Sequence, residues 1–180
     1  MPLEFLWLSS LRNEETIGLI LKMDASAIGI DIDLVSAPWA RIVEVSASAE
    51  TAPHILPVYV QADYPEALSL LYTKYHSNAT GTWSQTEWLM NPEVDALVDA
   101  ALATSDRDAR MILSHVIQHK IVDLCPTIFG YDCRSIYAYQ DEIIDLTEVL
   151  KYPALAALGY FQEGRRISVL PGRREEMRSK

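Results

Sequence analysis

Hydrophobic and polar positions change period repeatedly along the first sixty residues, and each change predicts a new element. Leu3–Leu8 is an apolar run broken only by Glu4, the pattern of a strand buried in a parallel sheet. Asn13 then stands as a helix cap, with Glu14 and Glu15 in a first turn where the helix dipole favours acid. Ile17, Ile20, Leu21, Ala27 and Ile28 recur at helical spacing, and Gly29 supplies a stop. Ile30, Ile32 and Leu34 alternate with Asp31 and Asp33, which predicts a second strand with one wetter face. Pro38 opens a helix carrying Trp39, Ile42 and Val43 on its apolar side, and residues 55–60 return as a third strand. Strand, helix, strand, helix, strand at this spacing implies right-handed crossovers and a mostly parallel sheet, an α/β layer with helices on its faces.

The middle of the chain turns helical. Tyr64 and Pro65 change its direction and begin a helix over 64–75 through Leu68, Leu71 and Tyr72. A polar loop, 76–86, carries Trp83. Asn91 and Pro92 start a strongly signalled helix over 91–104, with Val94, Leu97, Val98, Ala101 and Leu102 at helical spacing. A second long helix follows over 107–124, its inner stripe Leu113, Ile117, Ile121 and Leu124. Beyond Pro126 the pattern predicts extended chain over 127–139, a short helix over 142–150, and a charged, disordered tail after Pro171.

Length and composition narrow the class. A chain of 180 residues with 49% hydrophobic and 22% charged side chains suits one globular domain with a core. A formal charge of −10 excludes nucleic acid as the expected partner, because that affinity comes largely from Lys and Arg. The first residues have no basic stretch before their short apolar run, so no secretory signal peptide is expected in this chain, and no apolar run reaches membrane-spanning length. Cys125 and Cys133 do not form a C-x-x-C pair; they read as small buried hydrophobes or, in an exported protein, as a disulfide.

Candidate chemistry is sparse. Asp31 and Asp33 point the same way from a strand but have no further oxygen ligands around them, so they read as a solvated face rather than a cation site. His115 and His119 lie one helical turn apart in HVIQH, which lacks the glutamate of a zinc-protease helix and falls off the inner stripe. There is no phosphate loop, nucleophile elbow or metal-ligand cluster, so neither an enzyme nor a cofactor is expected. Asp63 stands at the carboxyl end of the third strand, where ligands bind in open α/β sheets. It reads either as the cap of the helix beginning at Tyr64, with Glu66 completing the arrangement, or as a ligand-binding carboxylate.

Several stretches together carry a family likeness. ADYPEALSLLY followed by WLMNPEVDALVDAAL, with GLILKMDASAIGIDIDLVSAPW upstream and DRDARMILSHVIQHKIVDLCPTIFGYDCRSIYAY downstream, resembles the family 5 extracytoplasmic solute-binding proteins of ABC importers. The resemblance implies a periplasmic-binding-protein-like (type II) lobe over 1–152 and a carboxyl-terminal return segment and tail over 153–180. It implies a carboxyl-terminal part of a two-lobed protein that captures a peptide, opine or sugar between its lobes, outside the cytoplasm, and delivers it to permease subunits. By that resemblance Asp63 pairs with a ligand's α-amino group, and Gln61, Tyr64, Tyr59 and Trp83 join it as ligand-binding residues. The chain departs from the family at Val60, where relatives often carry Trp, leaving stacking to Tyr59 or Trp83. The alternative function is an interaction module that assembles with a separate first lobe or as a homodimer.

Overall fold

The computed structural model describes residues 2–64 and 66–132, together with the backbones of Ile144–Asp145 and Ser168–Val169. Contacts group the chain into two units: 1–60 with 70–127, and 61–69 with 128–180.

The first unit is built on β1 (Leu3–Leu8), α1 (Arg12–Ala27), β2 (Ile32–Ala37) and α2 (Trp39–Ser46). β1 and β2 pair in parallel from Leu3↔Ile32 to Leu8↔Ala37, and Ile55 bridges to Phe5 on the other edge of β1, also in parallel. β1 is thus the middle of the sheet. Alternation along β1 divides the core into two faces. Phe5 faces Ile17, Leu21 and Ala25 of α1, whereas Leu6 faces Ile42 and Val45 of α2.

The third strand is far shorter than the 55–60 run expected. Ile55 donates its N–H to Glu4 and accepts from Leu6, and the next rung would require an N–H from residue 57. That residue is Pro57, which has none, so pairing stops after one bridge.

The face of α1 also differs from expectation. Glu14, Gly18 and Ala25 are buried, while Ile20 and Ile28 are 55% and 76% exposed. The helix lies so close to Phe5 and Leu34 that small residues occupy its centre line. Its cap position is Leu11, not Asn13, and Gly29 at φ +82° turns the chain out of it as the stop signal predicted. On α2, Ile42 and Val45 are buried, and Val43 lies outward.

α3 (Ala67–Tyr75) begins three residues later than the 64–75 reading, which removes Asp63 from its first turn. After a single 3₁₀ turn at Ser77–Ala79 come α4 (Pro92–Ala103) and α5 (Arg107–Leu124). Both start where the sequence says they should: Asn91 Oδ1 accepts from the N–H groups of Glu93 and Val94, and Asp106 Oδ1 accepts from that of Ala109. Val94, Val98 and Ala101 of α4 and Ser114, Ile117 and Ile121 of α5 are buried. Leu124, expected in that stripe, is 39% exposed in the last turn of α5. The histidines His115 and His119 are exposed, and no group of metal-ligating side chains forms among the described residues.

In the second unit, β3 (Ile144–Asp145) and β4 (Ser168–Val169) pair antiparallel. Ile144–Asp145 is strand where a helix was expected over 142–150, and the rest of that range lies outside the described residues. Cys133, the extended reading beyond Asp132 and the tail after Pro171 lie outside the described residues.

Candidate functional site

The order β2, β1, Ile55 makes the sheet doubly wound about β1. The chain leaves β1 to one side through α1 and returns to the other through α2, so a crevice opens at the carboxyl ends of β1 and the Ile55 segment. A hollow of about 150 Å³ occupies that crevice. The turn from β1 into α1 contributes Leu8, Leu11 and Glu14, α2 contributes Trp39 and Ile42, and the chain after Ile55 contributes Pro57, Val58 and Tyr59. A wider hollow of about 440 Å³ lies against β2 and α2, lined by Glu4, Val35, Arg41 and Thr51 among others; its charged groups are exposed.

Glu14 is the unusual member of the crevice. It is only 3% exposed, and its Oε2 accepts the Leu8 N–H at 2.8 Å, holding the last residue of β1 to the first turn of α1. Burial pushes its carboxyl above the usual range, and the Leu8 hydrogen bond offsets part of that rise. Because folding disfavours the ionised form, the unfolded chain releases this proton at lower pH than the folded one. Stability therefore falls as pH rises through the carboxylate range toward the raised value. Glu14→Gln keeps an acceptor for Leu8 and should remove that slope in urea titrations run from pH 4 to 8. Glu14→Ala should instead cost about 1–3 kcal/mol at any pH, by stranding a buried N–H.

The structure places Tyr59 and Trp83 near one another's neighbour, Trp39. Tyr59 lines the hollow, and its hydroxyl accepts from Asn13 Nδ2 at 2.5 Å. Trp83 stacks edge-on against Trp39, with ring centroids 5.3 Å apart. The loop bearing Trp83 turns at Gly81, φ +78°, where an added β-carbon would come within 3.3 Å of the Ala47 carbonyl at the end of α2. So the loop follows α2, and Trp83 backs a wall of the crevice.

Gln61, Asp63 and Tyr64 belong to the second unit, and all three are exposed. Asp63 donates its backbone N–H to Ser69 Oγ at 2.8 Å, which joins the segment to α3. The helix-cap reading of its side chain fails because α3 starts at Ala67.

His76, after the end of α3, is a turn residue. It is buried, its Nδ1 accepts from the Asn78 N–H, its ring packs on Tyr72, and its Nε2 lies 3.3 Å from Asp99. Glu14 and Trp39 are crevice residues that the sequence reading did not single out, and Asn13 reaches the crevice through its hydrogen bond to Tyr59. Glu14 did carry a signal: it shares the stripe of Ile17, Gly18, Leu21 and Ala25, so a carboxylate stands in an inward-facing row.

The arrangement is an α/β fold that also occurs as part of several solute-binding proteins of known structure. The chain superposes on the oligopeptide-binding protein AppA of Bacillus subtilis in complex with a nonapeptide, with a TM-score of 0.61 and 20% identity over 69% of this chain. It is equally similar to the periplasmic binding protein DppA of Helicobacter pylori in complex with the peptide STSA, at TM-score 0.62 and 20% identity over 69% of this chain. A dipeptide-binding protein of Pseudoalteromonas sp. SM9913 in complex with Met-Leu gives 0.63 and 19%, again over 69%. This chain covers 24%, 24% and 25% of those three proteins, about a quarter of each. No protein-family model and no curated protein matches the sequence.

Proposed function

We propose that this chain is the carboxyl-terminal lobe portion of the substrate-binding component of an ABC importer, and that it captures a small peptide-like solute outside the cytoplasm. The observation that carries the reading is the crevice at the switch point of the sheet, walled by Trp39 and Tyr59, in a fold shared with peptide-bound proteins. Binding, not bond-breaking, fits a hollow whose one titratable carboxylate is committed to a backbone N–H and has no nucleophile beside it. A first lobe would supply the other half of the site, and permease subunits would receive the loaded protein. Leu19, Ile20 and Met23 of α1 and Ile28 just after it, all exposed, give that lobe or a second copy of the chain an apolar surface to cover.

In this reading the exposed carboxylate of Asp63 meets the α-amino group of the solute, with Gln61 and Tyr64 beside it in sequence; Tyr59 and Trp83, in the first unit, are separate candidates for aromatic ligand contact. A charge-assisted hydrogen bond of this kind contributes about 1.5–3 kcal/mol. Asp63→Ala in the two-lobed protein should therefore weaken an amine-bearing peptide roughly 10- to 100-fold in calorimetry, while N-acetylated peptide, already weak, changes little. Equal affinity of mutant and parent for the free-amine peptide would remove Asp63 from the site.

A further inference from the structure

Glu14 is costly where it stands. As a fastener for the Leu8 N–H, a neutral amide of the same length would serve as well, without a carboxyl kept out of water. A buried acid in the wall of an open hollow makes chemical sense if the hollow receives a cation. The other walls say which kind. Leu8, Leu11, Ile42 and Val58 offer only hydrocarbon, and Trp39 and Tyr59 add aromatic rings. Such a lining suits an unbranched alkyl stem, with the positive end placed at the carboxylate and the aromatic rings near it.

The hydrogen-bonding pattern narrows the cation further. Oε2 of Glu14 is already taken by the Leu8 amide at 2.8 Å, which leaves Oε1 for a ligand. A guanidinium is best held by both oxygens of a carboxylate side by side, whereas an ammonium is satisfied by a single oxygen.

We infer that the hollow at the carboxyl end of β1 is a subsite for a primary alkylammonium group, with Glu14 as its counter-ion. The inference rests on the solute-binding reading and names a substrate class for it: solutes bearing a lysine-like side chain or another aminoalkyl arm. Arrival of the ammonium lets Glu14 carry its charge against a partner, so the carboxylate that is a burden in the empty lobe becomes a selective contact in the loaded one.

The test uses the whole 180-residue chain, labelled with ¹⁵N and titrated separately with n-butylammonium and n-butanol, which share a stem and differ in charge. The Leu8 and Glu14 amides should shift saturably with butylammonium, at concentrations at least tenfold below those needed for butanol. Glu14→Gln should abolish that preference while leaving the response to butanol in place. Equal responses of the wild-type chain to the two probes would overturn the inference without any variant, and so would a Glu14→Gln chain that still prefers the ammonium. The outcome separates from that of the binding role itself: loss of free-amine peptide binding in Asp63→Ala, beside indifference to charge in the hollow, would keep the importer reading and discard this subsite.

Discussion

Lys74→Met should be among the most damaging single substitutions in the chain, lowering stability by about 3–5 kcal/mol. Lys74 near the end of α3 is 6% exposed, and its Nζ lies 2.6 Å from Glu87 Oε1, both side chains being 8% exposed. Thr127 Oγ1 donates to the same oxygen at 2.9 Å, and the Tyr75 hydroxyl donates to Thr127 Oγ1 at 3.4 Å. Burial, with the Glu87 carboxylate as a lesser contribution and the Thr127 bond opposing it, raises the Tyr75 phenol above its ordinary range. Glu87 Oε2 and Trp88 Nε1 are buried with no hydrogen-bond partner among the described residues. Removing Lys74 would leave a buried carboxylate with a hydroxyl as its one partner, and the loss of the counter-charge dominates. Met fills much of the same volume, so packing contributes little. Urea unfolding of Lys74→Met and of Lys74→Met with Glu87→Gln distinguishes the two causes. The double variant discards the charge and keeps an acceptor for Thr127, and it should regain most of the loss. If it unfolds as early as the single variant, the damage comes from packing and the electrostatic account fails.

That ion pair was invisible in the sequence, and the reason is general to this chain. What could be read was local. α4 announced itself through Asn91 and Pro92 and α5 through its inner stripe, because a cap and a periodic stripe are properties of a few neighbouring residues. The third strand failed for a reason equally local, Pro57, whose effect depends on which rung it occupies; only the bridge of Ile55 to Phe5 fixes that rung. The face of α1 was misread because hydrophobicity alone favoured Ile20 and Ile28, while the sheet required small residues at Gly18 and Ala25. Lys74 and Glu87 meet through a loop of no regular pattern, and nothing in their spacing predicts it. For the candidate site, Tyr59 and Trp83 were legible as aromatic residues near an open sheet end. Trp39 was not, because its position in α2 suited core as well as ligand.

Gly18→Val should cost about 3 kcal/mol, and Gly18→Ala about 1–2, with the sign opposite to what helix propensity alone dictates. At an exposed helical position Gly→Ala gains roughly 1 kcal/mol. Here a β-carbon would stand 2.3 Å from Leu34 Cδ2 and 2.7 Å from Phe5 Cε1, closer than real contacts allow. Leu34 is partly buried and its branch can rotate away. Phe5 is 1% exposed, its ring is confined among Ile17, Ala25 and Ile32, and it has nowhere to move. The helix itself must therefore lift from the sheet. That displacement would reach the crevice, since Glu14 lies one turn before Gly18 and holds Leu8 through a single 2.8 Å hydrogen bond. Two measurements separate this chain of cause from simple loss of packing. In a double-mutant cycle, Leu34→Ala should cost less in the Gly18→Ala background than alone, because it opens space for the new methyl. Amide hydrogen exchange at Leu8 should accelerate in Gly18→Ala more than at Val94 or Val98, which sit in the core of α4. A Gly18→Ala chain that is more stable than the parent, or one in which Leu8 is as protected as before, would mean that α1 does not press on Phe5 and that the crevice is held open by something else.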